Sequence, residues 1–198
     1  GVCADAIATI EGISRSQLDA AGAESQRRAL EAINGGHFDR SLIPVLNLDG
    51  SVALANEEFP RPGTTAESLA GLKASFPQIA DYRHTEDSLS FRELINQRYP
   101  DVAIEHVHHA GNSSGVVDGS ACILFASEDY VKAHGMKPRA RVVATANMGD
   151  CPTLMLNAPV PAAQKVLKLA GMTLADIDLF EVNEAFAVVS EKFQRDLN

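Results

Sequence analysis

No stretch of the 198-residue sequence approaches the roughly 18–20 consecutive apolar residues that cross a bilayer. The opening GVCADAIATIEG also lacks the basic-then-apolar layout of a secretory signal. These absences lead us to expect a cytoplasmic protein with no membrane partner. Positive charge is scarce too. A formal net charge of −9 argues against the broad basic surface on which nucleic-acid binding relies, so no nucleic-acid partner is expected. Cys3, Cys122 and Cys151 are odd in number and show no CxxC spacing, which predicts reduced thiols rather than a disulfide framework. His106, His108 and His109 are close in sequence, but strand alternation would put the first two on one face and the third on the other. With no carboxylate or cysteine nearby at ligand spacing, no metal is expected there. His37, His84 and His134 read as surface residues.

What is present suffices for a packed core, with 45 % hydrophobic residues in a chain long enough for one or two domains. Ser14 and Gln17 have capping-box spacing and open a helix that should run to the Gly35-Gly36 stop. SLIPVLNLDGSVALA reads as a hairpin turning at Asp49-Gly50, with Pro44 at an edge. A helix opening near Thr65 would leave Arg61 on a loop and carry Ser68, Leu72 and Phe76 along one stripe, which could equally be plain core. From Pro77 to Glu105 the chain turns polar and reads as a surface excursion holding a short helix, FRELINQRY, ended by Pro100.

Further on, IEHVHH predicts a strand, GSACILFASEDYVKAHG a buried helix ending at Gly135, and RARVVATANMG another strand. Pro161 suits the first turn of a helix that Gly171 ends, and Thr173 caps a brief turn before the buried strand IDLFEV. Asn183 would close that strand, with EAFAVVSEKFQRDL continuing as a helix. Strands and helices alternate from residue 106 onward, so the expected fold class is α/β with a mixed sheet packed by helices.

Two motifs point to chemistry. HHAGNSSGVVDGSA, His108–Ala121, brings glycines that permit close approach and positive φ at Gly111, Gly115 and Gly119, together with hydrogen-bonding groups on Asn112, Ser113 and Ser114. FEVNEAFA, Phe180–Ala187, sets the lone amide of Asn183 among apolar residues. These motifs, and the run ISRSQLDAAGAESQRRALEAINGGHFDRSLIPV, resemble thiolases, and the likeness covers most of the chain.

The resemblance implies a layered α/β fold with an inserted loop domain. Residues 1–105 would form mainly the loop-domain region that contacts coenzyme A, and residues 106–198 part of the catalytic α/β domains. It implies that Arg61 and Ser68 hold the nucleotide end of coenzyme A, with Leu72 and Phe76 as an apolar wall. Ala110 and Ser114 would flank the pantetheine arm, and Gly115 would allow backbone approach. Met155 would line the acyl pocket, although a core methionine is the plain alternative, and Ala185 and Phe186 would face the coenzyme or acyl chain. Asn183 is the one catalytic residue carried over. In thiolases it holds a water that, with a histidine from elsewhere, forms an oxyanion hole, a role suited to a neutral amide.

The same likeness implies an acyltransferase that cleaves 3-ketoacyl-CoA with coenzyme A or condenses acyl-CoAs. Coenzyme A and acyl-CoA would be substrates, with no permanently bound cofactor, and the assembly a homodimer or homotetramer. A thiolase also needs a nucleophilic cysteine, a GHP histidine and a second acid–base cysteine. No GHP occurs here, and none of the three cysteines matches either family cysteine. The first group is expected upstream of residue 1 and the others downstream of residue 198, so this stretch alone is expected to be inactive. The alternative is a non-catalytic fragment that keeps coenzyme A binding or subunit assembly. The length of Pro77–Glu105 favours a degradative role on a bulky acyl chain.

Overall fold

The computed structural model describes residues 1–197. Helix α1, Val2–Glu11, is apolar or small apart from Asp5, Thr9 and Glu11, and it ends at Gly12, which takes the left-handed conformation at φ 62°. Helix α2, Arg15–Asn34, starts at Ser14, whose hydroxyl accepts from the Gln17 N–H while the Gln17 side chain returns to the Ser14 N–H. The predicted capping box and the Gly35-Gly36 stop are therefore both found. The hairpin pairs β1, Val45–Leu46, with β2, Val52–Leu54, antiparallel around Gly50 at φ 85°. It is solvent-exposed throughout.

Thr65 caps α3, Ala66–Ala70, as expected, but the helix stops at Gly71. Leu72 and Phe76 therefore lie beyond it, and the predicted stripe with Ser68 does not form on one helix. The glycine after a single turn, with no further cap, outweighs the four-residue spacing.

The segment Pro77–Glu105 is not a surface excursion. Its helices α4, Pro77–Ala80, and α5, Phe91–Arg98, pack on α1. Ala80, Ser90 and Ile95 are buried, and Tyr99 and Val102 lie against the core. The apolar residues at these spaced positions form a narrow inward face that the polar composition of the segment concealed.

The remaining helices are α6, Glu128–Ala133, α7, Pro159–Ala170, and α8, Ala187–Leu197, with a 3-10 turn at Leu174–Asp176 behind Thr173. Helix α8 packs against α1, α2 and α7. The core joins Ile7, Leu18, Ile95, Val107, Leu154 and Val188, so residues from both halves of the chain share it.

Strand pairing departs from expectation. IEHVHH, RARVVATANMG and IDLFEV run without a ladder among the described residues; Ile104 and Val107 of the first are buried, whereas Val142, Val143 and Leu179 of the other two are exposed, Leu179 at 90 %. A strand exists by virtue of its neighbour's N–H and C=O groups, and no described segment supplies them here. The buried helix expected in GSACILFASEDYVKAHG is instead the short exposed α6, and Ile123, Leu124 and Phe125 before it are exposed. No helix of the chain is long and apolar enough to cross a membrane, among the described residues.

Candidate functional site

The GNSSG turn and the NEAF segment meet. Ser114 N–H donates to Ala185 O at 3.0 Å, Ala187 N–H donates to Asn112 O at 3.0 Å, and Ser113 and Phe186 form an antiparallel bridge between them. This zipper also leads directly into the first turn of α8.

Beneath the zipper lies a polar brace. Asp5, fully buried in α1, accepts from His106 Nδ1 and His108 Nδ1 at 2.7 Å each, and from the backbone N–H groups of Val107 and His108. Asp19 of α2 accepts from Arg15 Nε, His109 Nε2 and the Asn112 amide. The predicted alternation is found, since His106 and His108 turn to one carboxylate and His109 to the other. Burial pushes the Asp5 carboxyl up, but the hydrogen bonds from His108 and His106 outweigh it and hold it below its ordinary value. Burial lowers the His109 imidazole, against the opposing pull of Asp19. Among the described residues no cluster of histidine, cysteine and carboxylate has the makeup of a metal site.

Sequence reasoning missed Asp5 and Asp19. The signal was available, as a lone acid inside the apolar run CADAIATI asks for a buried partner. Asn112 proves to be part of this brace rather than a ligand-facing group, because its side chain accepts from His109 N–H and donates to Asp19 and Val107 O.

None of Gly111, Gly115 and Gly119 adopts positive φ, and only Gly111 and Gly115 act through close approach. A Cβ on Gly111 would stand 2.4 Å from Leu69 Cδ2, and one on Gly115 would stand 2.3 Å from the Phe59 ring. Gly119 has open space around it.

An apolar cleft of about 460 Å³ opens beside the zipper. Asn183, Ala185 and Met155 line it, with Leu156, Val189 and Phe193 among its other walls. Met155 takes φ 54°, the left-handed region, as the single non-glycine residue to do so among those described. Phe186 stands edge-on to Phe76, with ring centroids 5.9 Å apart, and to His108 at 5.5 Å. Phe76 and Phe186 thus form one aromatic wall.

The other predicted contacts are placed outside this cleft. Ala110 and Ser114 are exposed along the GNSSG turn, and Leu72 is half-exposed near it, against Gly111. Arg61 is exposed on its loop, held by its backbone N–H donating to Gln26 Oε1 at 2.8 Å, and no carboxylate among the described residues pairs with its guanidinium. The Ser68 hydroxyl is occupied in the α3 cap, accepting from Thr65 N–H and donating to Thr65 O.

Against known proteins, a family model described as "Thiolase, N-terminal domain" matches residues 1–79, and one described as "Thiolase, C-terminal domain" matches residues 136–198. The chain belongs to the thiolase family.

It is 35 % identical to the acetyl-CoA acetyltransferase of Escherichia coli (strain K12), over 94 % of this chain and 41 % of that protein. The dimeric peroxisomal thiolase of Saccharomyces cerevisiae superposes with a TM-score of 0.82 at 29 % identity, over 100 % of this chain and 43 % of that one. Human mitochondrial 3-ketoacyl-CoA thiolase in complex with CoA superposes with a TM-score of 0.77 at 34 % identity, covering 99 % of this chain and 42 % of that one. The fold of this thiolase-family chain is thus the layered α/β fold of the solved thiolases, of which it spans about two fifths. The GNSSG side of the zipper lies between the two matched stretches, and its NEAF side lies within the C-terminal one.

Proposed function

We propose that this chain supplies the coenzyme A-contacting and acyl-contacting part of an acyltransferase that cleaves 3-ketoacyl-CoA with coenzyme A or condenses acyl-CoAs. The observation that carries this reading is the junction of GNSSG with NEAF beside an apolar cleft that holds Asn183 and Met155. In this reading the acyl chain occupies the cleft, and the pantetheine arm runs past Ala110, Ser114 and Gly115 toward the Phe76–Phe186 wall. Arg61 meets the phosphates at the nucleotide end. Ser68 contributes its position through the α3 cap, because its hydroxyl is already engaged.

The Asn183 amide, itself uncharged, lines a mostly apolar space that Glu181 also borders. It is suited to hold a water against the oxygen that gains negative charge when a thioester enolate forms, and a neutral donor there avoids adding a counter-charge that would trap the ground state. The nucleophile and the proton-transferring groups are not assigned within these residues, so the stretch by itself should bind without turning over. By analogy with the dimeric yeast relative, we propose that the functional assembly is a homo-oligomer.

Calorimetric titration of the 198-residue chain with coenzyme A and acetoacetyl-CoA, alongside a thiolysis assay, tests this. Binding of both without thiolysis is the expected result. Binding of neither would remove the ligand assignment, and turnover would overturn the division of roles. In the longer enzyme, Asn183→Ala should lower kcat by about 10²-fold while leaving substrate affinity nearly unchanged.

A further inference from the structure

Residues 77–105 lie apart from the cleft, since none of them is among its walls. One of them nevertheless reaches the backbone that shapes it. Tyr99 closes α5 and stands half-buried against the core, with its hydroxyl 3.7 Å from Cys151 Sγ. Cys151 begins the turn in which its carbonyl accepts from Met155 N–H at 2.9 Å, and the intervening Leu154 is buried. Met155 leaves that turn at φ 54°, a conformation unfavourable for a residue with a Cβ and one that persists only where surrounding contacts hold it. The Met155 side chain is 65 % exposed and lines the cleft, so its own packing does not fix it.

We propose that Tyr99 is a specificity-determining residue, holding the Cys151–Met155 turn so that Met155 sets the acyl end of the cleft. The inference rests on the reading of that cleft as an acyl pocket. The hydroxyl of Tyr99 meets Cys151 Sγ, the carbonyl of Cys151 holds the amide of Met155, and the strained backbone directs the thioether into the cavity. A methionine placed this way adapts to the chain it meets, and its position decides how much length is accommodated. The segment 77–105 thus acts on substrate choice at a distance of one contact.

Tyr99→Phe removes a single oxygen and leaves the ring in the core, and Cys151→Ala removes the other partner. Both, and the double variant, would be compared with wild type by 13C-methyl NMR of the methionines and by calorimetry with acetyl-CoA and octanoyl-CoA. The sequence has four methionines, so Met136, Met148 and Met172 serve as internal references. The expected result is a displaced Met155 methyl in each single variant, no further displacement in the double variant, and an octanoyl-to-acetyl affinity ratio changed by about threefold to tenfold. A wild-type chain that binds both thioesters, with an unmoved Met155 methyl and an unchanged ratio in the variants, overturns this inference alone. A wild-type chain that binds neither thioester overturns the pocket reading and the specificity role with it.

Discussion

Ser114 and Ala185 are joined by a 3.0 Å hydrogen bond from the amide of one to the carbonyl of the other, and this bond brings together two motifs distant in sequence. Ala185, at one end of the bond, is also a wall of the cleft that Asn183 lines. The bond in turn depends on the buried carboxylates of α1 and α2, which fix residues 106–112 from below.

Gly22 is the place where that support is tightest. It lies in the middle of α2, where alanine would ordinarily add about 1 kcal/mol of helix stability. Here a Cβ would stand 2.7 Å from the Gly111 carbonyl oxygen, a backbone atom that cannot swing away. Gly22→Ala should therefore destabilise the chain by about 1–3 kcal/mol despite the propensity gain, as read by urea unfolding. A stabilised variant would show that α2 and the GNSSG turn are not in this contact.

Acid should weaken the brace in two stages. His109 is held below its ordinary value by burial, so the folded state favours the neutral ring. Its contribution is full above about pH 6.5, the unfolded value, and is lost as pH falls through the lower folded value. Asp5 lies below its ordinary value because its hydrogen bonds from His108 and His106 exceed the cost of its burial. Its contribution is full above about pH 4 and is lost as pH falls further. Unfolding free energy should therefore be level near neutrality and decline in these two windows, and His109→Gln should remove the upper one. Retention of the upper decline in that variant would assign it to another group.

Arg61 is exposed, and its contribution should be electrostatic and screened. Arg61→Ala is expected to weaken coenzyme A binding by about threefold to tenfold at low salt, and by less at high salt. Equal affinity at low salt would place the nucleotide end elsewhere.

The sequence displayed the local features well. Ser14 with Gln17, Asp49-Gly50, Thr65 and Gly171 each set their own turn or helix end, because a cap or turn needs only residues within a few positions. Residues that depend on distant partners were harder to read. The three extended segments after residue 104 carry strand-like sequences, but pairing is decided by neighbours that no local pattern names. The His106, His108 and His109 alternation was legible as an alternation, whereas the carboxylates it turns toward lie in α1 and α2, far away in sequence. The polar composition of residues 77–105 hid a buried face of a few residues, Tyr99 among them. Asn183 and Met155 were recognisable through family likeness, and their sharing of one cleft is a matter of tertiary packing.

The central claim is that the GNSSG–NEAF junction is where coenzyme A thioesters bind, and it is tested most directly by titrating the 15N-labelled chain with coenzyme A and following every backbone amide. The account predicts that the signals of Ser114, Gly115, Ala185 and Phe186 move together and saturate with one affinity. Saturable binding that leaves these four amides unmoved, or no binding at all, would contradict it.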